Sequence, residues 1–245
     1  MSVQVNKLNR NDIASEWDTV CLARQNLIDN GCDPSLIWVN IPCIIRNLPT
    51  TKVGKILDIG CGTGYLTNEL LKFSLKCVGI DISKKSIDIA CSRYNEESLN
   101  FYQSSICDFR YKSKFDLCVA NMVFSSDPEF NISIKNVFNL LKKNGYLLLT
   151  LPHPCFWPKY WGYEKEDWYD YNSEIYVKNN FHTSWSNDIG FITQIHRPIT
   201  MYLNNLIDCG FQIIKIEEPL PIKGFPQNYV YEYPRFLFIK CKKIN

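Results

Sequence analysis

The chain has 245 residues, 46% of them hydrophobic, enough to bury a full core as one domain with insertions. Lys and Arg number 27 against 25 Asp and Glu, and a net charge of +2 makes no field that would draw a polyanion, so nucleic acid is not expected as a partner. The opening MSVQVNKLNRNDIASEWD has no apolar signal core, and no later stretch approaches the ~18 to 20 continuous apolar residues of a membrane span, which points to a soluble, cytoplasmic protein without membrane contact.

Taken in order, residues 1–50 read as an N-terminal helical cover, helical over 12–48 with a break at Gly31. Asp33-Pro34 supplies an N-cap and first-turn pair for a second helix. From Lys55 short apolar runs alternate with helical segments: KILDIG, a helix over 63–73, KCVGID, a helix over 83–94, LNFYQS, FDLCVAN, a helix over 128–142 and GYLLLTL. This is the rhythm of a parallel sheet with helices on both faces, and it spans residues 54–152. Residues 153–197 form an insertion too long for a plain loop, with EIYVKNNF and GFITQIH predicted as a hairpin. The C-terminal part, 198–245, reads as a helix from Pro198 to Gly210 followed by strands QIIKIEE and FLFIKCK. The eleven cysteines contain no CxxC pair and are read as reduced; no metal is expected.

The most informative stretch is ILDIGCGTGYL, residues 56–66. A strand ends at Asp58, and Gly60, Gly62 and Gly64 turn the chain into a helix, leaving backbone space for a nucleotide-like cofactor beside Cys61. A dinucleotide fingerprint needs glycine where Tyr65 stands, and a carboxylate at Asp58 would oppose a pyrophosphate. It suits an ammonium group instead, so the turn favours a nucleoside that carries an amino acid. Asp81, with Ile82 after it, ends the second strand at the spacing of a ribose-binding carboxylate. Asp108 follows the third strand and is placed to receive an adenine amine, with Ile106 and Cys107 beside the ring. Alone, either aspartate could be a helix cap or turn residue; with Asp58 they form a row at the carboxyl edge of the sheet.

LDIGCGTG, VGID, CDF and FDLCVANMVF resemble, in order and spacing, the motifs of the class I S-adenosylmethionine-dependent methyltransferases, small-molecule type. The resemblance implies a Rossmann-like seven-stranded, mostly parallel sheet, helices on both faces, with the last strand antiparallel. It also implies that Asp58 and Gly60 contact the methionine end of S-adenosyl-L-methionine, Asp81 the ribose and Asp108 the adenine, with Asn121 and Met122 along the path of the methyl group. Many small-molecule members carry histidine after the fourth core strand, where this chain has Phe124-Ser125-Ser126. The Asn-Pro-Pro-aromatic signature of nucleobase and glutamine methylation is also absent.

The insertion holds four of the six tryptophans, Trp157, Trp161, Trp168 and Trp185, which suggests an apolar acceptor pocket or a satellite core. Phe156, Trp157, Trp185 and Arg197 are the substrate-binding candidates. His153, His182 and His196 all fall here, and an imidazole near pKa ~6.5 suits a general base. His196-Arg197-Pro198 puts an electropositive corner at a helix start, although Arg197 could instead pair with a structural acid such as Glu217 or Glu218. The expected activity is methyl transfer to an oxygen or nitrogen of a small, partly apolar metabolite by a monomer or homodimer. Competing readings are a nicotinamide-dependent oxidoreductase and a non-catalytic cofactor-binding regulator.

Overall fold

A computed structural model describes residues 2–225 and 232–244. A short strand, β1 (Val3–Val5), precedes α1 (Arg10–Asp29). A capping box opens α1: the Asn9 side chain accepts from the N–H groups of Asn11 and Asp12, and the Asp12 carboxylate accepts from Asn9 N–H at 2.9 Å. After the Gly31 break, Asp33 accepts from Leu36 N–H at 3.1 Å, the cap expected from the sequence. The segment it opens is a π-helical stretch (Ser35–Asn40) that runs into α2 (Ile41–Arg46), where a plain helix was predicted.

The alternating core follows as β2 (Val53–Ile59), α3 (Tyr65–Leu71), β3 (Ser74–Asp81), α4 (Lys84–Arg93), β4 (Leu99–Gln103), β5 (Phe115–Asn121), α5 (Phe130–Leu140) and β6 (Leu141–Pro152). The sheet is completed by β9 (Phe211–Glu217) and β10 (Phe236–Lys243), entered from α7 (Ile199–Asp208). Its order is β4-β3-β2-β5-β6-β10-β9, parallel except for β10, which runs antiparallel to both neighbours. Central strands alternate between two cores. Leu57, Ile59, Cys118, Ala120, Leu147 and Leu149 face α5 and α7, whereas Ile56, Leu117, Val119 and Leu148 face α2 and α3. The chain winds outward from β2 to β4 and then crosses back to β5. The carboxyl ends of β2 and β5 are therefore the switch point at which such sheets hold ligands.

The insertion contains α6 (Trp157–Trp161), β7 (Ile175–Asn180) and β8 (Phe191–His196), and β7 and β8 form the expected hairpin. The N-terminal strand, which carried no sequence signal, adds antiparallel to β7 and makes a second, three-stranded sheet. Trp157, Trp161, Tyr163, Ile175, Val177, Ile192 and Phe236 join Val20 and Val39 of the N-terminal cover in a third core. The insertion and the N-terminal segment thus pack together around one core. No helix among the described residues is long and apolar enough to cross a membrane.

Candidate active site

The turn after β2 is built by backbone conformations that exclude side chains. Gly60 has φ +65°, and a Cβ there would lie 2.4 Å from Val123 Cγ2. Gly62 has φ +54° and nothing within 4 Å of where its Cβ would be, a backbone cradle open to the cavity. Asp81 braces the turn from β3, accepting from Gly62 N–H and Ser83 N–H at 2.8 Å each. It therefore performs the turn role and still faces the cavity.

Asp58 is buried, and one carboxylate oxygen accepts from Thr67 Oγ1 at 2.7 Å. The other, Oδ1, is buried without a partner. Burial pushes the Asp58 carboxyl up to about 7, against the Thr67 hydrogen bond and with help from the negative charge of Asp81. Burial likewise holds the Cys61 thiol well above its usual range, so it is a neutral wall group.

The opposite wall follows β5. Met122 adopts φ +63°, an uncommon conformation for a side chain with a Cβ. Thr150 of β6 supports it: Oγ1 accepts from Met122 N–H at 3.1 Å and donates to Asn121 Oδ1 at 2.7 Å, while the Thr150 carbonyl accepts from Met122 N–H at 3.0 Å. Thr150→Val removes both hydroxyl bonds without changing shape. Denaturant unfolding should show a loss of about 1–2 kcal/mol, and an unchanged midpoint would refute the support role.

One cavity joins these walls. Asp58, Gly60, Cys61, Gly62, Asp81, Ile82, Ile106, Asn121 and Met122 line it, as the sequence led us to expect. Cys107 and Asp108 do not. Cys107 Sγ turns to Ser133 Oγ at 3.2 Å, and the Asp108 carboxylate is 68% exposed and paired with Arg10. The substrate candidates divide in the same way: Trp157 lines the cavity, whereas Phe156 packs on His153 and Tyr233, and Trp185 stacks on Phe225 at the surface.

Arg197 lies away from the cavity wall. It is only 2% exposed, and it donates to Glu174 at 2.6 Å, to the Phe124 carbonyl at 2.9 Å and to the Asp127 carbonyl at 2.8 Å. Its guanidinium is committed to the protein and does not line the cavity. The acid it pairs with is Glu174, and not Glu217 or Glu218, which pair with Arg46 and Lys215 and with His153.

His153 and His196 likewise lie away from the cavity wall. His153 is buried, its Nδ1 accepts from Cys155 N–H at 3.2 Å, and its Nε2–H is 3.0 Å from Glu218. Burial lowers its pKa despite Glu218, and both ring nitrogens are used in closing the turn after β6. His196 donates from Nε2 to the Tyr171 carbonyl at 3.0 Å among the rings of Tyr163, Tyr169 and Tyr171, and burial lowers its pKa too. Of the three histidines, His182 alone lines the cavity. Its Nδ1 lies 3.3 Å from Asp188 Oδ1.

The sequence reading missed the contribution of α1. Arg10, Ile13, Trp17, Cys21, Arg24 and Ile28 recur at helical spacing and line the cavity together. Two arginines and a tryptophan inside an otherwise apolar stripe were the available signal. Arg24 lies over the Trp17 and Phe181 rings and 3.4 Å from Asp33, and its Nε is buried without a partner. Asn40 Oδ1, Trp157 Nε1, Gln194 Oε1 and Asp127 Oδ2 are also buried and unpaired on the cavity wall. Native interiors rarely leave such groups unsatisfied, so their gathering around one cavity marks a place for a polar ligand.

A glycine cradle at a switch point, with carboxylates at successive strand ends, defines an α/β protein that binds an amino-acid-bearing nucleoside. The chain belongs to the methyltransferase-domain family, matched over residues 50–193, and is a class I S-adenosylmethionine-dependent methyltransferase. An uncharacterized protein of Haemophilus influenzae is 27% identical over 223 residues, 83% of this chain and 86% of that one. The malonyl-[acyl-carrier protein] O-methyltransferase of Acetivibrio thermocellus is 33% identical over 112 residues, 44% of this chain and 40% of that enzyme. In fold, the chain is similar to an S-adenosylmethionine dependent methyltransferase from Mesorhizobium loti, with TM-score 0.65 and 21% identity over 82% of this chain and 96% of that one. With the family, the nicotinamide and non-catalytic readings fall.

Proposed function

We propose that the protein transfers the methyl group of S-adenosylmethionine to an oxygen or nitrogen of a small, partly apolar metabolite. One observation carries this reading: beyond the cofactor turn the cavity continues between Trp17, Trp157, Tyr160, Trp161, Phe181 and Phe236, with His182 on its wall. A concave aromatic wall with a few unpaired polar atoms is suited to a small acceptor. The sulfonium cofactor, when bound, supplies an activated methyl group. The chain's own residues have three tasks. Asp58 meets the ammonium end, the aromatic wall orients the acceptor and excludes water, and His182 takes the acceptor's proton with Asp188 orienting its ring.

Cofactor labelled in its methyl group, incubated with the protein and a whole-cell extract that is then separated into small-molecule, RNA and protein fractions, should give label in a small-molecule product by mass spectrometry. Label found only in RNA or protein fractions would overturn the reading. His182→Gln should lower the rate of that labelling about a hundredfold while leaving affinity for S-adenosylhomocysteine unchanged. An unaltered rate would remove His182 from the chemistry.

A further inference from the structure

The adenine end of the cavity is walled by Ile82, Ser105, Ile106, Asp127 and Pro128. The carboxylate expected there from the sequence is elsewhere: Asp108 points outward and is held by Arg10, whose Nε also pairs with Glu129. Ser105 is occupied as well, since its Oγ accepts from Cys107 N–H at 3.2 Å.

Asp127 is different. Its Oδ1 accepts from Glu129 N–H at 2.9 Å, a turn bond that fixes the plane of the carboxyl group. Oδ2 is buried and has no hydrogen-bond partner. Asp127 lines the cavity, and its carboxyl lies near the Cys107 thiol and is supported by the Ser133 hydroxyl. A buried carboxylate oxygen without a donor is costly, and a ligand N–H would relieve that cost. The exocyclic amine of adenine is such a donor.

We propose that Asp127 Oδ2 accepts the adenine amine of the cofactor, and that Asp108 serves instead as the anchor through which Arg10 ties the start of α1 across the same end. This rests on the cofactor assignment and is independent of the methyl acceptor. A carboxylate in this place also selects. A 6-oxo purine would set its carbonyl oxygen against Asp127, acceptor facing acceptor, and be rejected.

Calorimetric titration of the full chain with S-adenosylhomocysteine and with S-inosylhomocysteine, its 6-oxo analogue, tests this. The wild-type chain should prefer the adenine form by about thirtyfold or more, as expected when a site's polar group is left mismatched. In Asp127→Asn the amide oxygen keeps the Glu129 bond and the NH2 faces the ligand. Affinity for S-adenosylhomocysteine should then fall about tenfold and the preference collapse. Asp108→Asn should weaken both ligands alike and preserve their ratio. The proposal is overturned if Asp127→Asn keeps the wild-type ratio, if Asp108→Asn abolishes it, or if the wild-type chain shows no preference. The last two decide the matter even where Asp127→Asn does not fold. No binding of S-adenosylhomocysteine by the wild-type chain would overturn the cofactor assignment along with it.

Discussion

Asp58→Asn is expected to stabilise the ligand-free protein at pH 8 while weakening cofactor binding by on the order of 3 kcal/mol, more than a hundredfold. The two effects have one cause. Burial, reinforced by Asp81, raises the folded-state pKa of Asp58 to about 7 from an unfolded value near 3.8. Between those values the folded state binds a proton that the unfolded state has released. The stability linked to that proton is therefore full below about pH 4 and is lost as pH rises through about 7. By pH 8 the lost stabilisation is on the order of 4 kcal/mol, which a neutral asparagine does not incur. Asparagine can still accept from Thr67, so the fold is kept, but it offers no charge to the ammonium end of the cofactor. Thermal unfolding at pH 6 and pH 8, with titrations of S-adenosylhomocysteine at both, checks each half. Wild-type affinity should rise between the two pH values and the variant's should be flat. A variant less stable than wild type at pH 8, or one binding equally well, would refute this role for Asp58.

The turn after β2 was legible because it is made of local backbone requirements. ILDIGCGTGYL fixes a strand, three positive-φ turns and a helix within eleven residues, and Asp58 and Asp81 fall at strand ends that sheet topology must place side by side. Side-chain direction was less legible. Asp108 lies in the expected turn, yet Arg10, ninety-eight residues away, draws it outward, and no local pattern records that pairing. The histidines show the same limit: their restriction to the insertion suggested chemistry, but His153 and His196 serve carbonyl, amide and carboxylate partners that only the tertiary structure reveals. The packing of the insertion with the N-terminal segment is the least local feature. Val3–Val5 is three residues long and acquires meaning only by pairing with β7. The cavity-facing stripe of α1 was readable in principle, since Trp17 and Arg24 share a face with Ile13, Cys21 and Ile28.

Arg197 separates a structural role from a recognition role most sharply. Arg197→Met keeps much of the volume and removes every donor, leaving the carbonyls of Phe124 and Asp127 without the guanidinium and Glu174 without its buried partner. Leaving two backbone carbonyls without their buried donor costs about 3–5 kcal/mol, which for a chain of this size lowers the melting temperature by roughly 10 °C. Glu174→Gln should cost less, because the amide oxygen can still accept from Arg197 Nε and the two carbonyl bonds survive. Arg197→Lys should resemble Arg197→Met more than wild type, since an ammonium cannot span three acceptors in the guanidinium plane. The cofactor end should feel the loss too. The carbonyls held by Arg197 belong to the loop that carries Val123, Ser126 and Asp127 on the cavity wall, so affinity for S-adenosylhomocysteine should fall together with stability. A binding arginine would behave in the opposite way: its variant would melt like wild type and lose only the acceptor, raising KM in the labelling reaction. Thermal denaturation and S-adenosylhomocysteine titration of the same preparation distinguish the two, and a wild-type melting temperature would return Arg197 to the substrate.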